Sequence, residues 1–302
     1  MLNHAFIIQV HKQPELFKRI VKRLAAPNHY IFVNVDKKVS DTAFKKAVVG
    51  IDNIVFLKDE GRTDVRWGGF SQIACTLQLL KKVLTYPIAI DYIHSLSGQD
   101  YPCVSNEAFD RFFEEHDGES FMMFDSPEEH KEWSKPRGKY EERYMRWHFN
   151  DRPGYMKLLE KPIRLIERFH YIRSAIPNVR AGWSWFTWHR RVVEYVLRYC
   201  EEHPAYMKRF HDTSCCDELI FHTFLYPHFH ELRIHPDNCL RYIDWHPTRP
   251  YEGRLPLTLD ERDYESVIRS GALFCRKVDE EKSGKLLDML DNFFPSKDQK
   301  RQ

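Results

Sequence analysis

The sequence predicts an α/β fold with a mostly parallel central sheet flanked by helices. Residues 5–10 (AFIIQV), 30–35 (YIFVNV) and 54–57 (IVFL) are short, nearly continuous apolar runs, the pattern of strands buried on both faces. Between the first two, Pro14 suits a first helical turn, and Leu16, Phe17, Ile20, Val21 and Leu24 repeat at helical spacing until Pro27. Strand, helix and strand in this order imply right-handed crossovers and parallel pairing.

The elements that follow keep this rhythm. Ile73, Leu77, Leu80 and Leu84 place a helix over residues 70–84, and before it Val65-Arg66-Trp67-Gly68-Gly69 has two glycines that let backbone approach a ligand closely. Residues 92–96 form another strand, ending in Ser97-Gly98-Gln99-Asp100-Tyr101-Pro102. Ligands of open α/β sheets collect beyond the carboxyl ends of strands. Asp36 and Asp100 lie just past such ends, and Trp67 sits in the loop after the third strand. Residues 182–188 (GWSWFTW) read as a strand with aromatics on both faces, followed by a helix from His189 to about Glu202.

No linker or internal repeat divides the chain, which reads as one domain over residues 1–302 with an elaborated insertion at about 125–182. Within it Trp133, Lys139, Arg143 and Trp147 alternate with Glu128, Glu129, Glu141 and Glu142. The acids dilute any basic patch for single-stranded nucleic acid, so a solvated surface insertion is the first reading and an acceptor-binding loop the second.

Composition excludes several classes. With 42% hydrophobic and 30% charged residues the chain suits a soluble globular protein, and 46 basic against 44 acidic residues leave no field that attracts nucleic acid. Seven cysteines without CxxC spacing indicate neither a disulfide framework nor a zinc site. The start, Met1-Leu2-Asn3-His4, lacks a signal-peptide pattern, and no apolar run reaches about 18 residues, so the expectation is a cytoplasmic protein. An aromatic content of 14% fits flat faces for sugar rings and fits a filled core equally well.

The chemistry points to the acidic pair in Thr213-Ser214-Cys215-Cys216-Asp217-Glu218. Ser214 and Asp217 make an S-x-x-D capping pattern ahead of Leu219, Ile220 and Phe221, and a helix dipole favours acids there whether or not they catalyse anything. If Asp217 caps, Glu218 is the freer carboxylate. Arg254 and Lys277 follow. One carboxylate to take a hydroxyl proton, with two cations to hold a leaving diphosphate, is the minimum for moving a sugar from a nucleotide donor without a metal. No Asp-x-Asp occurs in the chain to hold Mn²⁺ or Mg²⁺.

The succession Val10-His11, Val35-Asp36, Trp67-Gly68-Gly69-Phe70-Ser71, Ser97-Gly98-Gln99-Asp100-Tyr101-Pro102, Ser184-Trp185-Phe186, Asp217-Glu218 and Phe274-Cys275-Arg276-Lys277 resembles the core-2/I-branching β-1,6-N-acetylglucosaminyltransferase family, glycosyltransferase family 14, which includes peptide O-xylosyltransferases. The resemblance implies a GT-A-like nucleotide-sugar-binding fold, a UDP-sugar donor, inversion at the anomeric carbon and no divalent metal or other cofactor. It carries the general base to Glu218, beside Asp217. The diphosphate cations fall on Arg254 and Lys277, with Arg276 as a substitute for Arg254. The uridine contacts fall on Asp36 and Trp67. Asp100 lies in the family's SGQDYP segment, and Ser184 and Trp185 are candidates for the acceptor side. The implied reaction moves N-acetylglucosamine from UDP-GlcNAc to a hydroxyl of a glycan or lipid-linked glycan in β-1,6 branching. A bacterial enzyme of surface polysaccharide synthesis, at the inner face of the membrane and open to peripheral association with it, fits the missing anchor. A UDP-xylose-dependent transferase and a non-catalytic glycan-binding protein are the alternatives.

Overall fold

The computed structural model describes residues 1–136, 138–169 and 172–293. Its strands are β1 (His4–Val10), β2 (His29–Val35), β3 (Ile54–Phe56), β4 (Tyr92–Ser97), β5 (Asp100–Pro102), β6 (Ser120–Phe124), β7 (Gly182–His189), β8 (Ile234–His235), β9 (Arg241–Ile243) and β10 (Phe274–Arg276). The chain divides into two compact units, residues 1–58, 88–118 and 240–302 in the first and residues 59–87 and 119–239 in the second.

In the first unit four strands lie in the order β3-β2-β1-β4, every pair parallel. His4 pairs with His29 and with Tyr92, and Val10 with Val35, so the strands start and finish nearly level. All seven residues of β2 are buried, as its unbroken apolar run predicts. Helix Pro14–Leu24 buries Leu16, Phe17, Ile20, Val21 and Leu24, the stripe expected from spacing. Each such side chain stabilises the packing by about 1.5–3 kcal/mol. A second sheet sets β10 between β5, antiparallel, and β9, parallel.

The second unit pairs β7 antiparallel with β6, and β8 parallel with β6. The β6–β7 register slips between Met122 and Phe124. Gly182 sits at this slip, where a Cβ would come 1.9 Å from the Met123 carbonyl, so only glycine lets the strands close. Phe186 and Trp188 stack with ring centres 3.6 Å apart, and Phe221 meets Trp188 edge-on. Helices Ser71–Leu84 and Arg190–Glu202 bury Ile73, Leu80, Val192, Val193 and Val196. The α/β class and the mostly parallel pairing with flanking helices thus agree with the sequence.

The insertion at 125–182 exposes most of its described residues and is fastened at a few buried points. Tyr140 and Phe149 are buried. The buried Arg173 donates to the carbonyls of Arg146 (2.8 Å), Asp212 (2.5 Å) and Arg209 (2.5 Å), and Arg152 pairs bidentately with Asp212 at 2.8 and 2.9 Å.

Candidate active site

The expected capping box at Ser214 and Asp217 does not form. Cys215 takes a left-handed conformation (φ 47°, ψ 48°), a 3₁₀ turn covers Cys216–Glu218, and the α-helix starts only at Ile220. Two backbone hydrogen bonds hold this turn: Cys215 N–H to the Gly68 carbonyl at 2.9 Å and Ser214 N–H to the Arg143 carbonyl at 3.1 Å. Asp217 leaves the helix terminus and accepts the Ser184 hydroxyl at 2.8 Å. Burial first, and the neighbouring Glu218 next, push its carboxyl above the ordinary range, against the Ser184 hydrogen bond.

Glu218 keeps its side chain 32% exposed, and its Oε2 accepts Arg143 Nη1 at 2.5 Å. A charge-assisted bond of this length fixes the carboxylate in place, while water still reaches it. Burial lowers the Arg143 pKa, but Glu218, with Cys215 and Asp217, outweighs it and the net shift is upward. Arg143 lies within the insertion and was not singled out by the sequence; its signal, one arginine in a mixed-charge stretch, is too common to stand out. Asp125, directly after β6, has one buried carboxylate oxygen without a hydrogen-bond partner among the described residues. Its carboxyl is pushed up to about 6, first by burial, then by Glu129 and Glu218, against Lys139 and Arg143.

Trp67 stands beside this turn through Gly68 and is 81% exposed, a free indole face. Ser71, which opens the following helix, is fastened by Asp151, whose Oδ2 accepts the Ser71 N–H at 2.8 Å and Oδ1 the hydroxyl at 2.7 Å. A Cβ on Gly69 would fall 2.3 Å from that carboxylate, so the glycine serves close packing against Asp151. Trp185 lies on β7, one residue from Ser184. The second unit therefore brings together Trp67, Ser184, Asp217 and Glu218.

The cations belong to the first unit. Lys277, just past β10, places its Nζ 3.2 Å from the Arg254 carbonyl, which joins the two positions expected to hold a diphosphate. Burial first, then Arg276 and Lys12, lower the Lys277 pKa against the pull of Asp279. Lys12, in the loop after β1, is an unanticipated member of this group. Mutual repulsion of this kind is relieved by a bound anion.

Arg276 is committed inward: Nη1 reaches the Ser97 hydroxyl at 2.8 Å and Asp100 Oδ2 at 3.1 Å. Asp100 is fully buried, also accepts the Ser97 N–H at 2.7 Å and its hydroxyl at 2.6 Å, and lies 3.7 Å from Arg241 Nε. Asp36, after β2, accepts the Lys38 N–H at 2.9 Å and pairs with Lys38 Nζ at 2.8 Å in a turn at the carboxyl end of the sheet.

At the opposite ends of those strands, His4, His29 and Asp110 bring possible metal-ligand atoms within 4.8 Å of one another. His29 meets the Leu24 carbonyl through Nδ1 at 2.8 Å and Asp110 through Nε2 at 2.9 Å, so both ring nitrogens face oxygen atoms of the protein.

The Core-2/I-Branching enzyme family model matches residues 4–267. Among curated proteins, xylosyltransferase sqv-6 of Caenorhabditis briggsae is 30% identical over 126 residues, 39% of this chain and 15% of the relative. The rat beta-1,3-galactosyl-O-glycosyl-glycoprotein beta-1,6-N-acetylglucosaminyltransferase 3 is 26% identical over 130 residues, 42% of this chain and 29% of the relative. The human N-acetyllactosaminide beta-1,6-N-acetylglucosaminyl-transferase is 25% identical over 129 residues, 42% and 32% of the two chains. The matched stretches thus span under a third of these relatives' own lengths. With the match running through both units and across Asp36, Trp67, Glu218 and Arg254, the chain belongs to the core-2/I-branching enzyme family.

Proposed function

We propose that this chain is an inverting glycosyltransferase that moves N-acetylglucosamine from UDP-GlcNAc to a hydroxyl of a glycan acceptor, with a β-1,6 link and without a divalent metal, in surface polysaccharide synthesis on the cytoplasmic side of a membrane. The observation that carries the reading is Glu218, an accessible carboxylate held at 2.5 Å by Arg143 on a turn that does not cap a helix. The helix-cap explanation for that acid is thereby removed.

In the reaction Glu218 accepts the proton of the acceptor hydroxyl as its oxygen forms the new bond to the anomeric carbon, opposite the breaking bond to UDP. The departing β-phosphate takes up negative charge, which Arg254 and Lys277 stabilise more strongly than they stabilise the intact donor. Arg276, spent on Asp100, supports the backbone of Lys277. Trp67 supplies a stacking face and Asp36 a hydrogen-bonding carboxylate for the uridine, while Ser184 and Trp185 serve the acceptor. Asp217, tied to the Ser184 hydroxyl on β7, holds the turn in place.

The names of the rat and human relatives support the N-acetylglucosaminyl donor. A UDP-xylose donor is the second reading, favoured by the C. briggsae xylosyltransferase, whose identity of 30% exceeds theirs. Incubating the chain with UDP-GlcNAc and UDP-xylose, with and without EDTA, and following UDP release separates the two. UDP release from UDP-GlcNAc that persists in EDTA is expected. Activity that returns only with Mn²⁺ would remove the role of Arg254 and Lys277, and acceptor binding without UDP release from either donor would make the chain a glycan-binding protein.

A further inference from the structure

Residues 153–169 turn acids inward and apolar side chains outward. In helix Glu160–Glu167, Glu167 is fully buried and accepts the Trp147 N–H at 3.2 Å, and Glu160 accepts the Phe149 N–H at 3.4 Å. On the same helix Leu165 is 62% exposed, and on either side Leu158 and Phe169 are 77% and Tyr155 71% exposed. A surface helix of a globular protein has the opposite polarity. Scattered exposed apolar residues are ordinary, but a dense set confined to one short segment marks a contact surface.

The charges of this segment identify what it contacts. Its two described acids are the ones drawn toward the protein, whereas Lys157, Lys161, Arg164 and Arg168 are all exposed. Outward apolar side chains flanked by cations of a single sign match a surface that is apolar below and anionic above. That is the boundary between the headgroups and acyl chains of a bilayer. Long basic side chains extend their stems along the apolar layer and deliver their charge to lipid phosphates. Among the described residues no helix is long and apolar enough to cross a membrane, so such a contact lies on the membrane surface.

We propose that residues 153–169 dock the protein on an anionic lipid bilayer, with Leu158, Leu165 and Phe169 entering the interface and Lys157 and Lys161 meeting lipid phosphates. This docking is independent of the donor sugar and of the identity of the catalytic base.

The test is flotation of the full chain with vesicles of phosphatidylcholine alone and of phosphatidylcholine mixed with phosphatidylglycerol. Binding is expected to the mixed vesicles and to be weakened by salt. Leu158→Ser, Leu165→Ser and Phe169→Ser combined should lower vesicle partitioning by about a hundredfold. Lys157→Glu with Lys161→Glu should abolish the preference for phosphatidylglycerol. Both variants should keep the wild-type melting temperature and UDP-sugar turnover in solution, because every altered side chain is exposed. Absence of wild-type flotation with the mixed vesicles, or undiminished flotation of the triple serine variant, overturns the proposal. So does a dimer seen by light scattering without vesicles that the serine substitutions dissociate, since the face then belongs to a second copy of the chain.

Discussion

The two units of this protein are built by different rules. In the first, β1, β2 and β4 are level, buried, parallel strands whose partners are fixed by short apolar runs, and the chemical groups follow their ends: Lys12 after β1, Asp36 after β2, Asp100 after β4. In the second, Glu218 depends on a left-handed Cys215, a carbonyl from Gly68 and a guanidinium from Arg143, which are far apart in the chain. Regular strands thus present charged groups at their ends as a by-product of topology, whereas the single exposed carboxylate of Glu218 needs a turn assembled from distant segments.

The difference can be attacked at four points. The largest effect is expected at Glu218, where Glu218→Gln should lower transfer about 10²–10⁴-fold while calorimetry shows UDP-sugar binding retained. Full activity would move the base elsewhere. Next is Asp100→Ala, which strands Arg276 and Arg241 beside an empty site and should cost about 3–5 kcal/mol in urea unfolding. A normal midpoint with weakened donor binding would instead make Asp100 a ligand contact. Lys277→Met comes third, with a loss of about 2–5 kcal/mol in transition-state stabilisation, read as kcat/KM, and weaker inhibition by UDP. Equal inhibition of wild type and variant by UDP would free Lys277 of that role.

The smallest effect concerns Asp125. Its folded pKa of about 6 lies above that of an unfolded aspartate, so the folded chain binds the proton more tightly. Its contribution to stability is then most favourable below about pH 4 and is lost as pH rises through about 6. Asp125→Asn should flatten this loss and raise stability at neutral pH by about 1 kcal/mol, a value discounted for the carboxyl's partial exposure. Urea midpoints across pH measure it, and an unchanged slope would place the titration in another group.

Much of this was legible in the sequence, for reasons that differ by residue. The strands and helices around Phe32, Leu16 and Ile73 follow from periodicity, because burial on both faces or on one helical stripe writes itself into consecutive residues. Glu218 was found through its neighbours in sequence. Arg143, which holds it, was not, since 75 residues separate the two and no local pattern marks an ion pair. Asp217 illustrates the opposite failure: local spacing pointed to a cap, but the Ser184 hydroxyl on β7 offered a partner that the helix terminus could not match. The insertion has a largely solvated face, but charge composition does not disclose which of its arginines, here Arg173, turns inward to fasten it.

That arginine, Arg173, joins three carbonyls on two separate stretches of chain with one planar group. A lysine could supply the charge but not the fan of donors, since an ammonium cannot span acceptors arranged around a flat fork. An exchange that looks harmless on a charge map would therefore remove three fastenings of the insertion at once, leaving Arg152, Asp151 and Arg143 to hold it.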